Sequence, residues 1–123
     1  MAGLTDAMEL NVLETVFRNG AYDYPTTVYM AYSKSTGVEA DDANYIRQAI
    51  TFSAASAGAV TNSGAVTFPA VAGAHNAVEG ALFTAESAGT QITDWKALTG
   101  GTVALAIGQQ LRVPAGDYDI TLD

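Results

Sequence analysis

The sequence contains no cysteine and only five basic residues, and these two shortages narrow the chemistry before any motif is read. Without cysteine there is no disulfide framework and no thiolate metal site, and the redox compartment stays open. The five cations, Arg18, Lys34, Arg47, Lys96 and Arg112, are scattered among 13 acidic residues, giving a net charge of −8. A phosphate backbone repels such a surface, so nucleic acid is not expected as a direct partner. Charged residues of both signs make only 15% of the chain, against roughly 25% in an average soluble domain. A surface this poor in charge is either covered by Ala, Ser and Thr or partly buried in an assembly. No apolar run reaches the roughly 20 residues that a membrane-spanning helix needs. The N-terminus, MAGLTDAMEL, has neither the basic nor the apolar region of a secretory signal. The expectation is a soluble product of a cytoplasm with no membrane partner.

The chain is equally short of convergent catalytic groups. His75 is the only histidine, in a Gly/Ala context that reads as a surface or turn position. It has no second His or Cys to share a metal, and no Ser stands in a nucleophile motif. Gly100-Gly101 lacks the Lys-Ser/Thr of a phosphate loop. Glu39, Asp41 and Asp42 could be taken for a cation site, but their spacing matches no calcium loop and three acids on a turn are commonly just solvated. No enzyme activity, cofactor or metal is expected.

What is present is β pattern. At 123 residues the chain has the length of one domain, able to bury a core without staples. Ala49-Ile50-Thr51-Phe52-Ser53-Ala54 returns as Ala65-Val66-Thr67-Phe68-Pro69-Ala70, placing Ile50, Phe52, Val66 and Phe68 on one face of a proposed central hairpin that turns at Asn62-Ser63-Gly64. Thr26 to Ser33 alternates Val28, Met30 and Tyr32 against Thr27, Tyr29 and Ala31. Lys34 to Asn44 reads as a loop by composition. Ala77 to Ala85 reads as strand-like around Leu82 and Phe83, with Gly80 allowing a bulge or a close approach. In DYDITLD, Tyr118, Ile120 and Leu122 face in while Asp117, Asp119, Thr121 and Asp123 face out.

One helix precedes the strands, expected at about residues 5–19. Leu4, Met8, Val12 and Val16 recur every fourth residue, and Leu13 and Phe17 are read as widening that stripe. Asp6 and Glu9 have capping-box spacing, Arg18 lies at the end of the helix, and Gly20 is the expected stop. The stripe is read as packing on the sheet, with docking of part of it on a neighbouring subunit as the alternative. Trp95 is a core or interface anchor. One helix and about seven or eight strands predict a mainly β chain. The expected form is an antiparallel two-sheet β-sandwich, jelly-roll or Greek-key-like, over about residues 26–123.

Four segments carry a resemblance over nearly the whole length. They are MAGLTDAMELNVLETVFRNGAY, PTTVYMAYS, the block from Tyr45 onward, YIRQAITFSAASAGAVTNSGAVTFPAV, and GQQLRVPAGDYDITLD. The chain resembles a family of small bacteriophage virion proteins, of the capsid decoration or tail-fibre-like kind. The segment from Lys34 to Ala43 departs from that pattern, being short and acidic where a longer Gly-rich loop is common. The resemblance implies a non-enzymatic structural protein. The favoured role is a cement subunit on the capsid exterior, with the major capsid protein as partner and a homo-oligomer, a trimer by preference. The alternative is a tail fibre or tip component that touches the host surface. The interface candidates are Met8, Val12, Val16, Tyr22, Tyr24 and Trp95.

Overall fold

Val28–Ser35 forms the longest strand, β1, and the other elements are arranged around it in the computed structural model, which describes residues 3–21 and 25–121. Along the chain there follow β2 (Val38–Glu39), β3 (Gln48–Ile50), β4 (Ala59–Thr61), β5 (Val66–Thr67), β6 (His75–Ala77), β7 (Glu79–Phe83), β8 (Lys96–Ala97), β9 (Val103–Leu105), β10 (Arg112–Val113) and β11 (Asp119–Thr121). Among the described residues a single helix, α1 (Asp6–Phe17), precedes them. The chain is thus mainly β with one N-terminal helix, and every pairing is antiparallel.

One edge of β1 is shared. Its first half pairs with β3, Tyr29 opposite Ala49, and its second half pairs with β2, Ser33 opposite Glu39. The other edge pairs with β7, Met30 opposite Leu82, and β7 in turn pairs with β8. The remaining strands form three two-stranded ladders, β5 with β10, β4 with β11 and β6 with β9. The alternation of β1 then decides the layering. Met30 and Tyr32 point into the main core with Ile50 and Leu82 from the same sheet, and with Val66, Phe68, Leu105, Leu111, Val113 and Tyr118 from the ladders that cover it. Ala31 points the opposite way, into a smaller cluster with Ala81 and Phe83 against which Trp95 packs. This is a β-sandwich whose second layer is assembled from ladder pieces. Gly80 faces the main core, where a Cβ would lie 2.8 Å from Met30 Cε and 3.1 Å from Tyr118 Cε2, so those side chains would have to shift to admit one.

The central hairpin is not formed as the repeat predicts. The first copy is divided: Gln48–Ile50 pairs with β1, and the next three residues turn back on 61–63, with Phe52 bridged to Asn62 and the Ser53 N–H donating to the Thr61 carbonyl at 2.9 Å. The tight turn falls at Ala57-Gly58, both at positive φ, rather than at Asn62-Ser63-Gly64. The second copy pairs with β10. Two like sequences have gone to different partners because alternation fixes which face a strand buries, while the choice of neighbour depends on distant residues. The run from Ala77 to Ala85 holds β7 around Leu82 and Phe83 as expected, with Ala77 itself closing β6 and Val78 between the two.

Asn62 shows why the expected turn is occupied otherwise. It is 1% exposed, and its side chain holds two turns together across more than 50 residues. Nδ2 donates to the carbonyls of Gly64 (2.8 Å) and Pro114 (3.0 Å), and Oδ1 accepts from the N–H groups of Gly116 (3.1 Å) and Tyr118 (2.8 Å). Asn62→Ala would remove all four bonds and leave the Gly64 carbonyl and the Tyr118 N–H without a partner, while the Gly116 N–H keeps the Asn62 backbone carbonyl and the Pro114 carbonyl keeps the Asp117 N–H. A loss of roughly 2–4 kcal/mol in urea-denaturation stability is expected, and a loss below about 0.5 kcal/mol, the range of ordinary surface substitutions, would contradict the assignment. In the terminal strand Tyr118 is buried and Ile120 packs on the core as the alternation predicts, while Leu122 and Asp123 lie outside the described residues.

Candidate interaction surface

Helix α1 begins one residue earlier than the acidic spacing predicts. Thr5 is the N-cap, and its hydroxyl accepts from the Met8 N–H at 3.3 Å, so Asp6 and Glu9 contribute through the positive helix end rather than as the cap pair. The helix ends at Phe17. Asn19, not Gly20, takes the left-handed conformation (φ 54°), and the Glu14 carbonyl accepts from both the Arg18 and Gly20 N–H groups. The segment is fixed to the sandwich mainly at its start. Leu4 pairs with Thr93, the Thr5 N–H donates to the Ile92 carbonyl (2.9 Å), and the Asp94 N–H donates to the Gly3 carbonyl (3.0 Å).

The apolar residues of α1 do not form one stripe. Each residue turns the helix by about 100°, so Leu13 and Phe17 fall on the far side from Met8. Met8 is buried, and Asn11, Val12 and Thr15 beside it are half-buried, making an inner face. Leu10 (62% exposed), Leu13 (52%) and Phe17 (77%) run along the outer face, with Val16 (65%) at its side. These four are half of the large exposed hydrophobics among the described residues; the others, Val38, Ile46, Val103 and Ile107, are dispersed over the chain. The packing of the whole stripe on the sheet expected from the sequence is therefore corrected to packing of Met8 and its neighbours alone. The outer face was legible as the spacing 10, 13, 17, which the four-residue repeat concealed.

The other candidate positions separate. Met8 and Val12 belong to the inner face and Val16 to the exposed flank, while Tyr22 and Tyr24 lie outside the described residues. Trp95 is half-buried with its ring edge-on to Phe83, centroids 6.1 Å apart, and so serves the small cluster behind the main sheet.

The acidic segment from Lys34 to Asn44 is a loop over most of its length, at 36–37 and 40–44, but β1 runs through Ser35 and β2 holds Val38 and Glu39. Its three acids go to three separate partners. Glu39 receives two hydrogen bonds from Arg47, at 2.8 and 2.9 Å, and one from the Tyr45 hydroxyl at 2.6 Å. Asp41 meets Lys34 at the surface. Asp42 accepts from the N–H groups of Ala72, Gly73 and Asn44 within 3.0 Å. Arg47 is nearly buried, lies 3.7 Å over the Phe83 ring, and donates to the carbonyls of Ala85 and Ala88. No three histidine or carboxylate groups gather as a metal site among the described residues.

His75 sits on β6, half-buried, and not on a turn. Its Nδ1–H donates to the Gly73 carbonyl at 2.8 Å, and Nε2 is hydrogen-bonded to the Tyr32 hydroxyl at 2.7 Å. Burial, helped by the Asp42 charge, pushes that hydroxyl up to about 12. Both ring nitrogens are thus occupied by the chain itself, and the Asp42–His75–Tyr32 group clamps the 42–44 and 72–75 segments together. It has the residue types of an acid–base relay and none of the freedom.

These carboxylates give the fold an acid limb. Burial alone would raise Glu39, but the Arg47 and Tyr45 hydrogen bonds and the Arg47 charge outweigh it and hold the carboxyl below its ordinary range. The Ala72 N–H, with those of Asn44 and Gly73, does the same for Asp42. The unfolded chain therefore takes up more protons on acidification. The stabilisation is complete above about pH 5 and is lost as pH falls through the ordinary carboxylate range, about 4, toward the folded-state values. Melting temperature is expected to hold from neutral pH down to about pH 5 and then drop. Glu39→Gln and Asp42→Asn should lower the plateau and flatten the drop; an unchanged slope in both would refute the assignment.

No helix among the described residues is long and apolar enough to cross a membrane. A sequence model of the podophage GP4 fiber I protein gp80 family matches residues 3–121 of the chain. No curated protein matches it.

Proposed function

Because the chain belongs to this family of podophage fiber proteins, we propose that it is a structural part of a phage tail fibre, attached to the virion and directed toward the host surface. The match over residues 3–121 carries the reading: it names a fibre protein and spans nearly all of the sequence. Membership makes the chain a virion structural protein, and between the two positions expected from the resemblance it favours the fibre over the capsid exterior. The geometry agrees with a non-enzymatic role, since the single histidine and the clustered acids are spent on internal hydrogen bonds. The exposed outer face of α1 gives such a part an apolar surface for attachment.

The test is location and copy number. Quantitative mass spectrometry of purified virions, relative to the major capsid protein, together with gold-labelled antibody in electron micrographs, should find few copies, at the tail. Copies comparable to the capsid protein, with label over the head, would overturn the fibre reading in favour of decoration. Absence from the particle would overturn both.

A further inference from the structure

The outer face of α1 is bordered by charge of one sign. Leu10, Leu13 and Phe17 form a ridge about two turns long, with Glu9 on one shoulder, Glu14 on the other and Asp6 one turn before Leu10. The only cation of the helix end, Arg18, reaches back to Glu14 at 3.0 Å in a pair exposed on both sides, which a better-placed cation can displace. We propose that this ridge is the seat of an amphipathic helical segment of a different protein, whose apolar residues are flanked by lysine or arginine. The fibre reading supplies only the setting, a virion in which such a segment would be anchored.

Charge decides between occupants. In a side-by-side pair of helices the positions flanking the apolar seam face one another. Two copies of α1 set parallel bring Glu9 of one against Glu14 of the other; set antiparallel, each glutamate meets its own counterpart. Both arrangements oppose like charges across the seam. An anionic lipid surface meets the same glutamates. A basic amphipathic helix satisfies both shoulders and covers the ridge, and the net charge of −8 steers it toward the chain from a distance.

The experiment uses the purified full-length chain and two fluorescein-labelled peptides of equal length and helix propensity. Both carry leucine at the seam positions; one carries lysine and the other glutamate at the flanking positions. Fluorescence anisotropy should show the lysine peptide binding at least about tenfold more tightly, with the preference shrinking near ~1 M salt, where screening acts within about 3 Å. Leu13→Glu should abolish binding of both peptides, and Glu9→Lys with Glu14→Lys should reverse the preference. All three positions are exposed, so unchanged melting temperatures will show that the variants fold. Equal affinity for the two peptides, or no binding of the lysine peptide, would overturn the proposal. So would a concentration-dependent oligomer that Leu13→Glu dissolves, which would assign the ridge to a second copy, or binding to phosphatidylglycerol vesicles lost in the same variant. A tail location in the virion with any of these results would leave the fibre reading standing.

Discussion

Replacing Arg47 with alanine is expected to cost about 3–5 kcal/mol, the range for breaking a buried ion pair from one side. The side chain is 9% exposed and joins segments that no strand ladder connects directly. It grips Glu39 through two nitrogens, ties the turn at Ala85 to Ala88 by two carbonyls, and stacks on Phe83. Its removal leaves the Glu39 carboxylate, 29% exposed, with the Tyr45 hydroxyl as its remaining donor and takes the Arg47 donor from both carbonyls. At about 4 °C per kcal/mol for a chain of this size, the melting temperature should fall by roughly 12–20 °C. Arg47→Met separates charge from bulk: it keeps most of the stem over Phe83 and should recover only the packing share. A double-mutant cycle with Glu39→Gln should give a coupling above about 1 kcal/mol. Additive losses would mean that the two side chains act independently, contrary to the geometry.

Phe68→Ala should cost as much, about 3–5 kcal/mol, because the site is closed on every side. The ring is 1% exposed, meets Tyr32 edge-on at 4.9 Å and lies nearly parallel to Tyr45 at 6.2 Å. Neither tyrosine can move into the space, since Tyr32 is held by His75 and Tyr45 by Glu39. The comparison residue is Phe52, its counterpart in the sequence repeat. Phe52 is only half-buried at the rim of the main core, so Phe52→Ala should cost about half or less, roughly 1–2 kcal/mol by the transfer of its buried portion. Equal losses at the two positions would restore the symmetric hairpin that the repeat predicts.

Local pattern was sufficient where the deciding interaction is local. The two faces of β1 could be read from alternation, because successive side chains of a strand point to opposite sides whatever its neighbours are. The burial of Tyr118 and Ile120 followed in the same way, as did the existence of α1 and its approximate ends. The exposed ridge of α1 was hidden by a second apolar repeat in the same twelve residues: Met8 and Val12 suggest one stripe, and only docking shows which side the sandwich covers.

Composition and alternation are enough to specify a mainly β chain with one leading helix and the shared faces of its long strand, and the order of segments is enough for the resemblance to phage virion proteins. The tertiary structure alone decided which strands pair, which copy of the repeat is buried, and how polar residues come to lie inside. In the sequence Asn62 reads as a turn residue, Asp42 as a loop residue and Arg47 as one of five scattered cations, because burying such groups unpaired is costly. Their partners at Tyr118, Ala88 and Gly73 lie between 31 and 56 residues away. Periodicity over a few residues carries no record of such partners, so these contacts become visible only once the chain has closed on itself.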